Sequence, residues 1–178
     1  MLREGIARAS RVVEQLLTLA REDPEPQAAA WAPTDIAQLT RQAAESAGVA
    51  ASAKGLGLEV HALTPVPVDG DATALRTLIE NLVDNAIRYT PAGSIRVGAR
   101  AEGGQAIFEV EDTGPGIPSD ERSRVFDRFY RGASTAERGT GLGLAIVRRI
   151  AERHGGTVTL HEGPGGAGLR VRVALSLA

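Results

Sequence analysis

The chain has 178 residues, enough for one ordinary domain with its own core, or one domain plus a short appendage. Twenty Lys+Arg against 22 Asp+Glu leave a net charge of −2, which argues against a dedicated nucleic-acid binder. Cysteine is absent, so disulfides and thiolate chemistry are excluded; no apolar run approaches the roughly 20 residues of a spanning helix, and no signal-peptide pattern opens the chain, so it is expected to be soluble.

Residues Met1 to Glu22 read as a helix with Leu2, Ile6, Ala9, Val13, Leu17 and Ala20 on one stripe, widened by Val12, Leu16 and Leu19. Asp23-Pro24-Glu25-Pro26 ends it, because a residue before proline resists the α conformation, and a domain boundary is expected there. A short extended piece leads to Thr34, the expected N-cap of a helix running to about Ala47. Leu56 to Leu63 alternates as a strand that Pro65 and Pro67 break.

From Asp71 to Tyr89, Leu75, Leu78, Ile79, Leu82, Val83, Ala86 and Ile87 recur at the spacing of one buried helical face. On the polar side of this helix stand Asn81 and Asn85, four residues apart, with Arg88 following. Asparagine is a poor helix former because its side chain competes for backbone hydrogen bonds. Amide oxygens are hard ligands that suit Mg²⁺, and a guanidinium suits phosphate. A solvated helix face is the plainer reading, though Glu, Lys and Gln would then be expected, and on this stretch alone the two readings weigh equally.

Ser94 to Ala101 and Ala106 to Asp112 look like a hairpin turning at Gly103-Gly104. Alternation puts Ala106, Phe108, Val110 and Asp112 on one face and Glu109 and Glu111 on the other. Asp112 thereby points a carboxylate at the buried layer, where it needs a donor. An adenine amine would serve, as would a simple turn onto Thr113-Gly114. Gly114-Pro115-Gly116-Ile117-Pro118 lets backbone approach a flat ligand, with Ile117 free to pack on it.

Thr113 to Thr140 has no sustained period and reads as a long loop with one helical turn, a length uncommon unless functional. Within it Phe126 and Phe129 are expected to pin the loop to the body, while Arg128 or Arg131 could reach phosphates from a closing lid. Gly139-Thr140-Gly141-Leu142-Gly143 runs into a helix ending near Arg153; glycines ahead of a helix N-terminus expose N–H groups to an anion, or serve as a hinge. Thr157 to Leu160 and Leu169 to Leu177 close the chain as strands. His61, His154 and His161 show no metal-ligand spacing, and ordinary surface roles are expected. Interleaved helices, strands and hairpins predict an α+β two-layer sandwich.

Taken in order, Asn81-x-x-x-Asn85-Ala86-x-Arg88-Tyr89-Thr90, Asp112-Thr-Gly-Pro-Gly116, Phe126-Asp-Arg-Phe129 and Gly139-Thr-Gly-Leu-Gly143 resemble the N, G1, F and G2 boxes of the catalytic ATP-binding domain of bacterial sensor histidine kinases. The resemblance covers about residues 31 to 178 and implies a Bergerat-type (GHKL) fold, a mixed sheet with helices on one face, with an ATP lid at about 113–140. Residues 1–24 resemble the second helix of the dimerisation and phosphoacceptor hairpin, with 25–30 as linker. Carried over, the resemblance implies that Asn85 ligates Mg²⁺, Asn81 supports metal or phosphates, and Arg88 contacts phosphate. It places Tyr89 against adenine, Asp112 on the adenine amine, and Gly114, Gly116 and Ile117 along the base. Arg131, Gly139, Thr140, Gly141, Leu142 and Gly143 then border the triphosphate.

Hydrolysing relatives such as the gyrase, Hsp90 and MutL ATPases carry a glutamate where Asn81 stands, and an amide cannot act as a general base. This points to a protein histidine kinase that donates the γ-phosphoryl of ATP to a protein nucleophile, for relay to a response regulator. The family's acceptor histidine lies on the first hairpin helix, and no histidine precedes His61. The sequence is therefore expected to bind Mg·ATP without phosphorylating itself, as a cytoplasmic domain whose parent sits in the bacterial inner membrane. Full-length relatives imply a homodimer; the chain alone could be monomeric. A soluble serine kinase of the anti-sigma type fits the N-terminal helix and long loop less well. A non-catalytic module fits poorly with intact Asn85, Asp112 and G2 glycines.

Overall fold

The computed structural model describes residues 31–131 and 140–178; the expected N-terminal helix and linker lie outside them. Strand β1 (Ala32–Asp35) is followed by helix α1 (Ile36–Ala53), strands β2 (Gly57–His61) and β3 (Pro67–Gly70), and helix α2 (Ala72–Tyr89). The hairpin β4 (Ser94–Glu102) and β5 (Gln105–Asp112), helix α3 (Gly143–Arg153), and strands β6 (Thr157–Glu162) and β7 (Leu169–Ser176) complete the order. Five strands form a mixed sheet in the order β2-β4-β5-β7-β6, parallel only between β2 and β4, while β1 and β3 pair in a separate antiparallel ribbon.

The helices cover one face of this sheet. From the sheet Ile95, Val97, Phe108, Val110, Val171 and Val173 point inward, and Leu75, Leu78, Ile79, Leu82, Ile146 and Ile150 meet them from α2 and α3. Each such side chain contributes about 1.5–3 kcal/mol by leaving water, so the apolar stripe of α2 fixes which face of that helix stays available for chemistry. Among the described residues no helix is long and apolar enough to cross a membrane.

Three boundaries differ from the sequence expectation. Asp35, not Thr34, caps α1: its Oδ1 accepts the Ala37 N–H at 3.0 Å and the Val66 N–H at 2.9 Å, while Thr34 is buried in β1. The same helix runs six residues beyond Ala47, because alanines keep its buried side supplied through Ala51 and the first stop signal is Gly55, at φ +69. The prolines around Val66 do not merely break β2; Pro67–Gly70 pairs with β1, an edge position that a proline tolerates. The Gly103-Gly104 turn has positive φ at both residues, 58 and 79, as a two-residue hairpin requires.

Candidate functional site

Helix α2 begins at Asp71, whose Oδ1 accepts the N–H groups of Thr73 and Ala74 at 2.9 and 3.1 Å. It ends where Lys54 Nζ donates to the carbonyls of Ile87 and Arg88, each at 2.9 Å, placing a cation on the negative end of the helix dipole. Between these fixed ends Asn81 and Asn85 project from the polar side, half-buried. Asn81 Nδ2 donates to Thr77 O at 2.8 Å, so that amide is tied back along its own helix and its Oδ1 is the outward group.

The N-terminus of α3 meets these amides directly. A Cβ built on Gly143 would lie 3.1 Å from Asn85 Nδ2 and 3.3 Å from both Asn81 Oδ1 and Asn85 Oδ1. The first intrahelical bond of α3 is Ile146 N–H to Leu142 O at 2.9 Å, so the N–H groups of Gly143, Leu144 and Ala145 precede it and face outward along the positive end of the dipole. Amide oxygens and helix-terminal N–H groups thus share one small space. Among the described residues no group of three or more His, Cys, Asp or Glu side chains converges; the amide oxygens of Asn81 and Asn85 are hard donors of the kind that suit Mg²⁺.

The other end of the cleft is built by β5. Asp112 is 7% exposed, and its Oδ1 accepts the Gly114 N–H at 2.8 Å. Burial pushes its carboxyl above the usual carboxylate range, with the N–H groups of Gly114 and Leu169 working the other way. The cleft gathers Asn81, Asn85, Arg88, Tyr89, Asp112, Gly116, Ile117, Arg131, Thr140, Gly141 and Gly143 into one wall system, closed by Val110, Leu169 and Val171 from the sheet.

The remaining expected site residues sit elsewhere. Gly114 does not line the cleft; it acts through its N–H on Asp112, and a Cβ there would lie 2.8 Å from Tyr89 O. Leu142 turns fully into the core, leaving only its backbone near the cleft. Gly139 lies outside the described residues. Phe129 departs from its expected role as a lid anchor: its φ is +64 and its ring is 61% exposed, so the ring points to solvent. Its backbone does the fastening, with Phe129 N–H donating to Gly141 O at 2.9 Å. Phe126 is half-buried, with the Arg148 guanidinium 5.7 Å from its ring centroid. From Pro118 to Tyr130 the loop is a string of turns with one α-type bond, Val125 N–H to Glu121 O.

Several residues at the cleft escaped sequence reasoning. Asp84, Glu121 and Tyr130 line it. Gly168, at φ +78, supports it from below: a Cβ there would lie 1.8 Å from Asp112 O, and one on Gly116 would lie 2.6 Å from Gly168 O. The glycine density of 163–168 between two strands was the available signal, and it reads as an ordinary loop until the close approach is seen. His154 is also not a surface residue. It is 7% exposed, its Nε2 accepts the Asp71 N–H at 3.1 Å, its Nδ1–H donates to Ile150 O at 2.8 Å, and Trp31 stacks on it at 5.0 Å. Those two partners fix the tautomer and tie the end of α3 to the start of α2.

A mixed sheet with helices on one face and a cleft between two of those helices, floored by a buried carboxylate, defines a nucleotide-binding sandwich. The family described as histidine kinase-, DNA gyrase B-, and HSP90-like ATPase matches residues 70–178. The chain is 40% identical over 175 residues to the sensor protein kinase PmrB of Pseudomonas aeruginosa, covering 96% of this chain and 36% of that protein. A crystal structure of full-length ShkA in complex with AMPPNP superposes with a TM-score of 0.85 at 33% identity, over 99% of this chain and 37% of that one. The mycobacterial sensor histidine kinase MprB gives a TM-score of 0.72 at 32% identity, over 83% of this chain and 97% of that one. The chain belongs to this ATPase family, in the branch formed by the ATP-binding domains of bacterial two-component sensor histidine kinases. It spans little more than a third of the length of PmrB and of ShkA.

Proposed function

We propose that this chain binds Mg²⁺·ATP in the cleft between α2 and α3 and donates the γ-phosphoryl group to a histidine on a dimerisation hairpin, for relay to a response-regulator aspartate. The observation that carries this reading is the approach of Asn81 and Asn85 to the N-terminus of α3 at Gly143. Asp112 accepts from the adenine amine, and Ile117 and Tyr89 flank the base. Arg88 and Arg131 neutralise phosphate charge, and the N–H groups opening α3 receive phosphate oxygens. Asn85 ligates the metal and Asn81, held by Thr77, orients beside it. Mg²⁺ supplies charge neutralisation and alignment of the transferred group. Catalysis by these residues is positioning and electrostatics, since an amide at position 81 offers no base to activate water.

Residues 1–24 would supply the second hairpin helix, 25–30 the linker, and 113–140 the lid. A membrane-anchored, dimeric parent and a cognate response regulator belong to the same reading. Two measurements test it. Titration with ATP with and without Mg²⁺ should show metal-dependent affinity that Asn85→Ala reduces by about tenfold or more. Incubation with γ-labelled ATP and a histidine-bearing hairpin from a related kinase should place acid-labile phosphate on the hairpin. Release of inorganic phosphate at the same rate without the hairpin would mean that the chain is an ATPase instead.

A further inference from the structure

The sheet face opposite the helices carries a row of charge that nucleotide binding leaves unused. Register sets Glu59 of β2 beside Arg96 of β4, Arg96 beside Glu111 of β5, Glu111 beside Arg170 of β7, and Arg170 beside His161 of β6. Hydrogen bonds join the first four: Arg96 Nε donates to Glu59 Oε2 at 3.2 Å, Arg96 Nη1 to Glu111 Oε2 at 2.9 Å, and Arg170 Nε to Glu111 Oε1. Each carboxylate oxygen of Glu111 therefore has its own guanidinium. Glu111 is only 7% exposed; of the other acids on this face, Glu59 and Glu102 are about half exposed, and Glu109, 15% exposed, pairs with a single guanidinium, that of Arg100.

The neighbouring row, on the helix side, reads Leu58, Ile95, Asp112, Leu169, Glu162. Asp112 is the last residue of β5, and beyond it regular pairing stops, with Thr113 N–H to Ser94 O at 3.2 Å as the next backbone tie. Strand ends fray, yet a carboxylate that reads a base must hold its place to a fraction of an ångström. A buried carboxylate with a cation on each side is where an ion pair has most hold, because removing its charge takes that partner from Arg170 and leaves Arg96 with Glu59 alone. The clamp acts one residue before Asp112 and on both neighbouring strands at once.

We propose that Glu111 is a positioning residue for nucleotide recognition: gripped by Arg96 and Arg170, it fixes the end of β5 and so aims the Asp112 carboxylate at the adenine amine. This rests on the adenine-binding role given to Asp112 above. The test compares calorimetric affinities of the chain for ADP and for IDP, whose base carries an oxo group in place of the amine. The unsubstituted chain prefers ADP. Glu111→Gln, nearly the same shape without the charge, shrinks that preference about fivefold or more, through lost ADP affinity with IDP little changed. Arg96→Gln, at a half-exposed partner, keeps the question open to measurement even if Glu111→Gln does not fold, and shrinks the ratio about two- to threefold. Glu102→Gln, an ion-paired acid at the far end of the same face, leaves the ratio unchanged.

A merely structural role would lower the melting temperature and weaken both nucleotides equally. If the unsubstituted chain prefers ADP and the ratio holds in Arg96→Gln and in any folded Glu111→Gln, the positioning role is overturned. An equal shift in Glu102→Gln overturns it as well. No preference in the unsubstituted chain would instead overturn the adenine reading, and this inference with it.

Discussion

Gly143 and Asn85 approach so closely that a methyl group on the glycine would sit 3.1 Å from the Asn85 amide nitrogen. Gly143 is the first residue of α3 and needs no left-handed backbone, so alanine is conformationally welcome there. Gly143→Ala should therefore melt at or slightly above the unsubstituted temperature and bind ATP about tenfold more weakly, because the methyl occupies the space between amides and helix terminus. Unchanged affinity by titration would show that this space is not used.

Asp112 carries a stability cost that can be read against pH. Burial raises its carboxyl, so between its ordinary and its raised value the folded chain keeps a proton that the unfolded chain has released. Folding stability then falls as pH rises through that window, and above it the full cost of a buried carboxylate is present. Asp112→Asn should melt higher than the unsubstituted chain above the window, with the gap closing as pH drops below it. The same variant should bind adenine nucleotides about tenfold or more weakly. Melting curves from pH 3 to 8 that run parallel for the two proteins would contradict the assignment.

His154, at the C-cap of α3, and His161, near the far end of β6, should behave oppositely. His154→Ala loses one buried and one part-buried hydrogen bond and the face under Trp31, and should cost about 2–4 kcal/mol in denaturant unfolding. His161 is exposed and, among the described residues, bonds the Thr159 hydroxyl at 3.0 Å, so His161→Ala should stay within about 0.5 kcal/mol.

Two glycines of the β6–β7 loop separate strain from collision. Gly165 has φ +72 with nothing within 4 Å of a built Cβ, so alanine there should cost about 1–2 kcal/mol from backbone strain alone. Gly168 adds a Cβ 1.8 Å from Asp112 O to its own φ of +78, and Gly168→Ala should cost about 3 kcal/mol or more. Comparable melting temperatures for the two variants would mean that the loop moves aside freely.

Elements with strong local signals were legible in the sequence. The period-3.6 stripe of α2 and the Gly103-Gly104 turn each depend on a few neighbouring residues, and both stand where they were expected. What escaped depends on residues distant in the chain. Pro67–Gly70 is a strand only because β1 lies beside it. Gly168 matters because β7 brings it under Asp112, and His154 is buried because Asp71 and Trp31 close over it. Phe129 differs from expectation because an apolar ring is expected to seek the core, whereas a left-handed backbone, met by the Gly141 carbonyl, turns it outward. The cleft shows the same division: its glycines and asparagines stand out in the chain, but the meeting of α2 with α3 is tertiary.

The parallel pairing of β2 with β4 has a kinetic consequence. The β4–β5 hairpin closes across a two-residue turn and can form on the microsecond scale of local hairpins. β2 can join β4 only after the intervening chain, α2 included, has crossed back over the sheet, an expensive loop closure made late. Folding should thus run from the hairpin outward, with the two asparagines delivered to their places among the last native contacts. Mutations at Val97 or Phe108 should then slow refolding, whereas mutations at Leu58 should mainly speed unfolding. Stopped-flow chevrons distinguish the two, and the reverse pattern would mean that the crossover organises first. A partly folded chain on this route would own the centre of the sheet and still be unable to hold a nucleotide.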